Sequence, residues 1–99
     1  MAKEFEYEGE KYQIDAEKRV DNGGDINPQT KTILADKDIP EKFHEGIAVH
    51  EIEERKNLLK GHSYVYSHNE AQKKEMEFYE KVYGKGKGLA TLEEEEIVV

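Results

Sequence analysis

The sequence predicts an α+β domain, a small and mostly antiparallel sheet of three or four strands packed on two main helices. Two patterns carry that expectation. In the first third of the chain, apolar residues alternate with charged ones around turn-forming glycines and a proline. From about residue 38 onward they recur instead at spacings of three and four. The length of 99 residues adds a bound, because it supports one modest core near the lower limit for independent folding.

Phe5, Tyr7, Gly9, Tyr12 and Ile14 read as a β-hairpin, with apolar residues alternating on either side of a glycine. Asp21-Asn22-Gly23-Gly24 and Asn27-Pro28-Gln29-Thr30 are turn signals, and Pro28 suits the second position of a tight turn. Asp25-Ile26 lies between them, and the segment from Thr30 to Ala35 reads as a good strand. Asp38-Ile39-Pro40-Glu41 opens a helix, with proline and acidic residues in the first turn. Gly61 ends it after Lys60. Phe43, Ile47, His50, Glu51, Glu54 and Leu58 share one broad face of that helix, and Ala48, Val49, Ile52 and Leu59 share another. It should therefore be wedged between the sheet and a second helix, with Gly46 permitting close approach. That second helix is expected to start at Ser63, in preference to Ser67, and to stop before Gly84. Its inward stripe is Tyr64, His68, Ala71, Glu75, Phe78 and Val82, flanked by Met76 and Tyr79. Residues 1–83 form the expected domain. Residues 84–99 read as a glycine-lysine linker and an acidic tail that either adds an edge strand or stays free.

The formal charge of -8 argues against duplex nucleic acid or an anionic membrane as partner. No apolar run is long enough to span a bilayer and no signal-peptide pattern opens the chain, so a soluble, cytoplasmic protein is expected. Abundant glutamate and lysine with no cysteine resembles the composition of proteins from hot environments. The absence of cysteine also rules out disulfides and thiolate ligands, so any metal must be held by imidazole and carboxylate.

Such ligands occur in a pattern. His50 and Glu54 stand one helical turn apart and can share one ion, zinc or another divalent transition metal. His68 is the expected third ligand if the two helices pack antiparallel across the connection from Gly61 to Tyr66. Three protein ligands leave a position for water, and Glu51 lies between the two helical ligands as the candidate base. Glu75 is read as the acceptor that fixes the tautomer of His68, in preference to a fourth ligand or the partner of Lys73 or Lys74. A blander reading puts Glu51, Glu53 and Glu54 on a solvated acidic face, paired with Arg55 and Lys56. Against it, His50 and Glu54 share a face with Phe43, Ile47 and Leu58, and the second helix carries its own out-of-place His68 and Glu75. His44 is expected to be exposed in the first turn and His62 to lie in a loop. Tyr64 and Tyr66 are read as packing residues, with donation to a developing oxyanion as the alternative.

The succession of a strand ending in Thr30-Lys31-Thr32-Ile33-Leu34-Ala35-Asp36, then Asp38-Ile39-Pro40-Glu41, then Gly46-Ile47-Ala48-Val49-His50-Glu51 resembles the entry to the active-site helix of zincin metallopeptidases. The small phage-repressor-cleaving kind and the minimal gluzincins are nearest in pattern, over about residues 25–82. The resemblance implies that His50 is the first zinc ligand and Glu51 the general base. Glu54 stands where the family has its second histidine, and His68 where gluzincins have glutamate. Two histidines and one carboxylate are thus kept with two positions exchanged. The family further implies a peptide or protein substrate lying along the strand from Thr30 to Ala35 by edge pairing. A zincin-like binding or regulatory protein, its metal structural or absent, is the alternative, since so short a chain lacks the further subdomain of larger peptidases. A metal-free acidic helical adaptor is a third reading.

Overall fold

The computed structural model describes residues 2–84. The linker and tail expected beyond Gly84 lie outside the described residues. The chain runs through β1 (Lys3–Tyr7), β2 (Glu10–Asp15), a 3-10 turn (Asp21–Gly23), β3 (Gly24–Asn27), β4 (Thr32–Ala35), a second 3-10 turn (Glu41–Phe43), α1 (His44–Leu59) and α2 (Tyr64–Tyr83). The fold is α+β, a four-stranded sheet with two main helices, as the sequence predicts.

Glu8 and Gly9, both with positive φ (51° and 80°), make the two-residue turn that joins β1 to β2. Left-handed residues at both positions match the right-handed twist of the flanking strands. The sheet order is β1-β2-β4-β3. β1 and β3 pair antiparallel with their neighbours, whereas β2 and β4 run parallel. The chain leaves β2, crosses to form β3 on the outside, and returns through the Asn27 turn to insert β4 between them. Asn27 holds that turn by accepting from the backbone N–H groups of Gln29 (3.0 Å) and Thr30 (3.3 Å). Asp36 secures the crossover. Its carboxylate accepts from Val20 N (2.7 Å) and Asp38 N (3.0 Å), and these two backbone bonds hold its pKa below the usual range.

β4 therefore has both edges paired. This corrects the expectation that the segment from Thr30 to Ala35 offers an edge to a peptide. Its run of Ile33-Leu34-Ala35 suits an interior strand, and among the described residues the edge strands are β1 and β3.

One face of the sheet is polar. The other presents Phe5, Ile14, Ile33 and Ala35 to the helices, joined in the core by Phe43, Ile47, Ala48, Val49, Ile52 and Tyr79. α1 is covered on two sides, and every residue from Gly46 to Glu53 is buried. A Cβ at Gly46 would stand 2.2 Å from the Tyr79 ring, so only glycine lets α2 approach this closely. Gly61, at φ +92°, turns the chain out of α1. Ser63 then caps α2 by accepting from Tyr66 N at 3.2 Å.

The inward stripe of α2 is displaced from the expected one. Ser67, Ala71, Glu75 and Tyr79 are its buried residues. Tyr64 and Val82, expected to face inward, are 61% and 52% exposed. A strict four-residue repeat places the packed seam about one position round the helix, facing α1, while Phe78 beside it meets Phe5 of β1 edge to face. None of the described helices is long and apolar enough to cross a membrane.

Candidate metal centre

Side chains from both helices converge where the middle of α1 faces the first half of α2. His50 is 1% exposed although imidazole is polar, and each of its nitrogens meets a carboxylate. Nδ1 lies 2.9 Å from Glu75 Oε1, and Nε2 lies 3.2 Å from Glu54 Oε2. The same Glu54 oxygen lies 2.9 Å from His68 Nδ1. The two imidazole rings stand edge to face, 4.8 Å between centroids.

This arrangement is short of positive charge. A neutral His50 has one N–H, and when Nδ1 donates it to Glu75 the bare Nε2 lone pair points at a carboxylate oxygen. Either a second proton or a cation satisfies it. Burial alone would lower the pKa of His50, but the hydrogen bond and charge of Glu75, with the charges of Glu51 and Glu54, outweigh burial and raise it.

A metal ion suits the same place. One ligand atom from each of His50, Glu54 and His68 lies within 4.8 Å of the others. Tetrahedral ligands at about 2.0–2.1 Å from zinc are roughly 3.3 Å apart. The two contacts made by Glu54 already have nearly that length, so side-chain adjustments of about 1–1.5 Å bring the set to coordination distance. The spacing reading thus placed His50, Glu54 and His68 together as found. It paired Glu75 wrongly. Glu75 bonds His50 and not His68, because the stripe of α2 is rotated and Glu75 faces the middle of α1. Glu75 is in turn held by Tyr79, whose hydroxyl lies 3.1 Å from Glu75 Oε2 and 3.2 Å from Phe43 O. Burial and the neighbouring Glu75 charge raise the Tyr79 pKa, so the hydroxyl keeps its proton and donates. The lysines considered as partners for Glu75 pair elsewhere, Lys73 with Glu70 and Lys74 with Glu77.

Glu51 sits beside this group against the edge strand β3. A methyl on Gly24 would stand 3.3 Å from Glu51 Oε2 and 2.7 Å from Ile47 Cγ2, so the backbone of β3 lies directly on this part of α1. Among the described residues Glu51 has no hydrogen bond or ion pair, yet it is only 9% exposed. Burial pushes its pKa up to about 7, with the charges of Glu54, Asp25 and Glu75 adding to the rise and His50 opposing it. A carboxyl near neutrality exchanges protons readily at working pH.

The other candidates divide. His44 is half-buried and donates from Nε2 to Ile39 O (2.9 Å), which corrects its expected exposure. His62 lies in the loop with its ring against Tyr66. Tyr64 stacks on the His68 ring at 5.6 Å between centroids. Glu53, read as one of a solvated acidic face, is buried and accepts from Tyr7 OH at 2.6 Å. No signal in the sequence announced that bond, because its partners are 46 residues apart and meet only after the sheet docks.

No protein-family model matches this chain, and neither a curated protein nor a solved structure matches it.

Proposed function

We propose that the protein is a metal-dependent hydrolase of the zincin type, acting on peptides, in which His50, Glu54 and His68 hold a divalent cation such as zinc. The observation that carries this reading is the imidazole of His50, fixed at Nδ1 by a buried carboxylate so that Nε2 is aimed at the place where Glu54 and His68 converge. A carboxylate behind a ligand histidine sets its tautomer and raises its basicity, and this is the usual support of a metal-binding imidazole. A bound zinc ion would contribute Lewis acidity and a lowered water pKa. Glu51 would accept the proton released, since it adjoins His50 and makes no competing bond among the described residues. Glu75 and Tyr79 keep His50 oriented.

The test is elemental analysis of protein purified without added metal, repeated on His50→Ala and His68→Ala, with hydrolysis of a peptide library alongside. About one ion per chain in the parent and a large loss in both variants is expected. Glu51→Gln should keep the metal and lose hydrolysis. Loss of metal in Glu51→Gln would make Glu51 a ligand and overturn its role as base.

The near-complete burial of His50 favours a second reading, in which the ion is structural and the protein binds or regulates without turnover. A chelator that lowers the melting temperature of a protein with no hydrolytic activity distinguishes it.

A further inference from the structure

Six large hydrophobic side chains are exposed among the described residues, and five of them, Leu58, Leu59, Tyr64, Val65 and Tyr66, cluster where α1 turns into α2. Only four residues, Lys60 to Ser63, join the two helices, so the cluster forms the convex tip of a helical hairpin. Leu59, Val65 and Tyr64 are its most exposed members, at 71%, 67% and 61%. An exposed apolar cluster of this kind marks an interaction surface. The charge of the tip is the reverse of the chain's. From Arg55 to His68 the sequence carries three cations, Arg55, Lys56 and Lys60, and no acid, although the formal charge of the whole is -8. Lys56 is paired with Glu8 and Glu53, whereas the side chains of Arg55 and Lys60 have no ion pair or hydrogen bond among the described residues. Glu54, the acid next before them on α1, is taken up by His50 and His68.

We propose that this tip docks on a membrane surface, placing Leu59, Tyr64 and Val65 in the interface of a bilayer that carries anionic lipid. The proposal does not depend on the metal-hydrolase reading. A convex tip enters a deformable lipid surface without needing a complementary groove. Its side chains also follow the depth profile of that interface. Leucine and valine bury apolar area, tyrosine rings keep a hydroxyl in the headgroup layer, and the stems of Arg55 and Lys60 let their charges reach lipid phosphates. Arg55 lies one turn behind Leu59, about 6 Å along the axis, which its own side chain spans. Binding of this kind grows with buried apolar area and with attraction to anionic lipid. The net charge of the chain argued against such a surface, but charges farther from the lipid than a Debye length of about 8 Å are largely screened, and the tip meets it with its own charge. A second copy fits less well, because two tips meeting about a two-fold axis bring Arg55 and Lys60 of one protomer against those of its partner.

The test is sedimentation of the full chain with vesicles of phosphatidylcholine mixed with phosphatidylserine, and of phosphatidylcholine alone. A cation beside an anionic surface strengthens partitioning about fivefold, so two unpaired cations should give the mixed vesicles a preference of about 20- to 30-fold. Arg55→Gln with Lys60→Gln should remove that preference. Leu59→Ser with Val65→Ser should weaken binding to the mixed vesicles by at least about tenfold. Val82→Ser, which removes the sixth exposed apolar side chain about 27 Å away along α2, should change nothing. All five positions are exposed, so circular dichroism should show the fold kept in every variant. Because the chain has no cysteine, Leu59→Cys carries a single environment-sensitive dye, whose emission should shift to the blue on adding mixed vesicles, while the same dye on Val82→Cys should not respond. No sedimentation with either vesicle overturns the proposal and turns the tip toward a protein partner or a second copy. Equal binding to the two vesicles, or a preference that survives the double glutamine variant, overturns the role of the cations. Binding weakened as much by Val82→Ser, or no shift of the dye on Leu59→Cys, overturns insertion of the tip.

Discussion

Glu51 stands in conflict between folding and chemistry, and replacing it with glutamine separates the two. Burial moves its carboxyl from an ordinary 4.5 to about 7. The folded state then holds this proton more tightly than the unfolded chain does. Stability is highest below pH 4.5, where both states carry it, and falls as pH rises to 7, above which both release it. Each pH unit of that interval is worth about 1.4 kcal/mol, so the metal-free protein loses roughly 3 kcal/mol across it. Glutamine keeps the shape and carries no charge. His50 draws part of its own stabilisation from ionised Glu51, so the net gain of Glu51→Gln at pH 8 should be smaller, about 2 kcal/mol. The assay is urea unfolding of both proteins in excess chelator from pH 4 to pH 8. The two curves should meet near pH 4 and separate with glutamine the more stable at pH 8. A variant equal to the parent at pH 8, or less stable, refutes the reasoning and puts the Glu51 carboxylate in water.

Glu75→Gln retains the volume of the side chain but weakens the partner of His50 Nδ1, and should lower zinc affinity by about 10- to 100-fold in a chelator competition, with the fold kept. His50 contributes stability below its ordinary pKa of 6.5 that is lost as pH rises through its raised folded value; in His50→Gln without metal this component of the pH profile should vanish. Gly46→Ala drives a methyl into the Tyr79 ring and should cost about 1–3 kcal/mol in denaturant unfolding, whereas Gly46→Ala with Tyr79→Phe recovers little because the ring carbons clash as well. Tyr7→Phe leaves the buried Glu53 carboxylate without its hydroxyl donor and should cost about 1–3 kcal/mol, readable as a shift in the urea midpoint at unchanged slope.

The parts of this molecule that were legible in the sequence are those set by local chemistry. Gly9 fixed the hairpin turn, Gly61 and Ser63 the break between helices, and the two apolar faces of α1 its burial on both sides. The group His50, Glu54 and His68 was legible for the same reason, since four-residue spacing and a short interhelical turn leave little freedom. What local chemistry leaves open is the rotation of one helix against another and the order of strands. The rotation of α2 assigned Glu75 to His50 in place of His68 and left Tyr64 exposed. The insertion of β4 between β2 and β3 depends on how Asp36 ties the crossover, a contact between residues 16 apart. Both are decided by packing energies summed over the whole core.

The polar content of that core is itself an argument about function. Among the described residues five polar or charged side chains, His50, Glu51, Glu53, Ser67 and Glu75, are buried beside eleven apolar ones. A chain this short has little apolar area with which to offset them. Replacing a buried, hydrogen-bonded polar group by an apolar side chain of like volume is often neutral or stabilising, so stability alone does not account for keeping them. The arrangement is also uneven. Glu53 is satisfied by Tyr7 and Lys56 on the sheet side of α1, as a structural acid should be. Elsewhere on α1, Glu51, packed against β3, has no partner among the described residues, and a neutral His50 has more acceptors than protons. Folding on its own would relieve both defects with a leucine or a glutamine. A cation between His50, Glu54 and His68 would relieve them together, supplying charge to His50 Nε2 and lowering the cost of ionising Glu51.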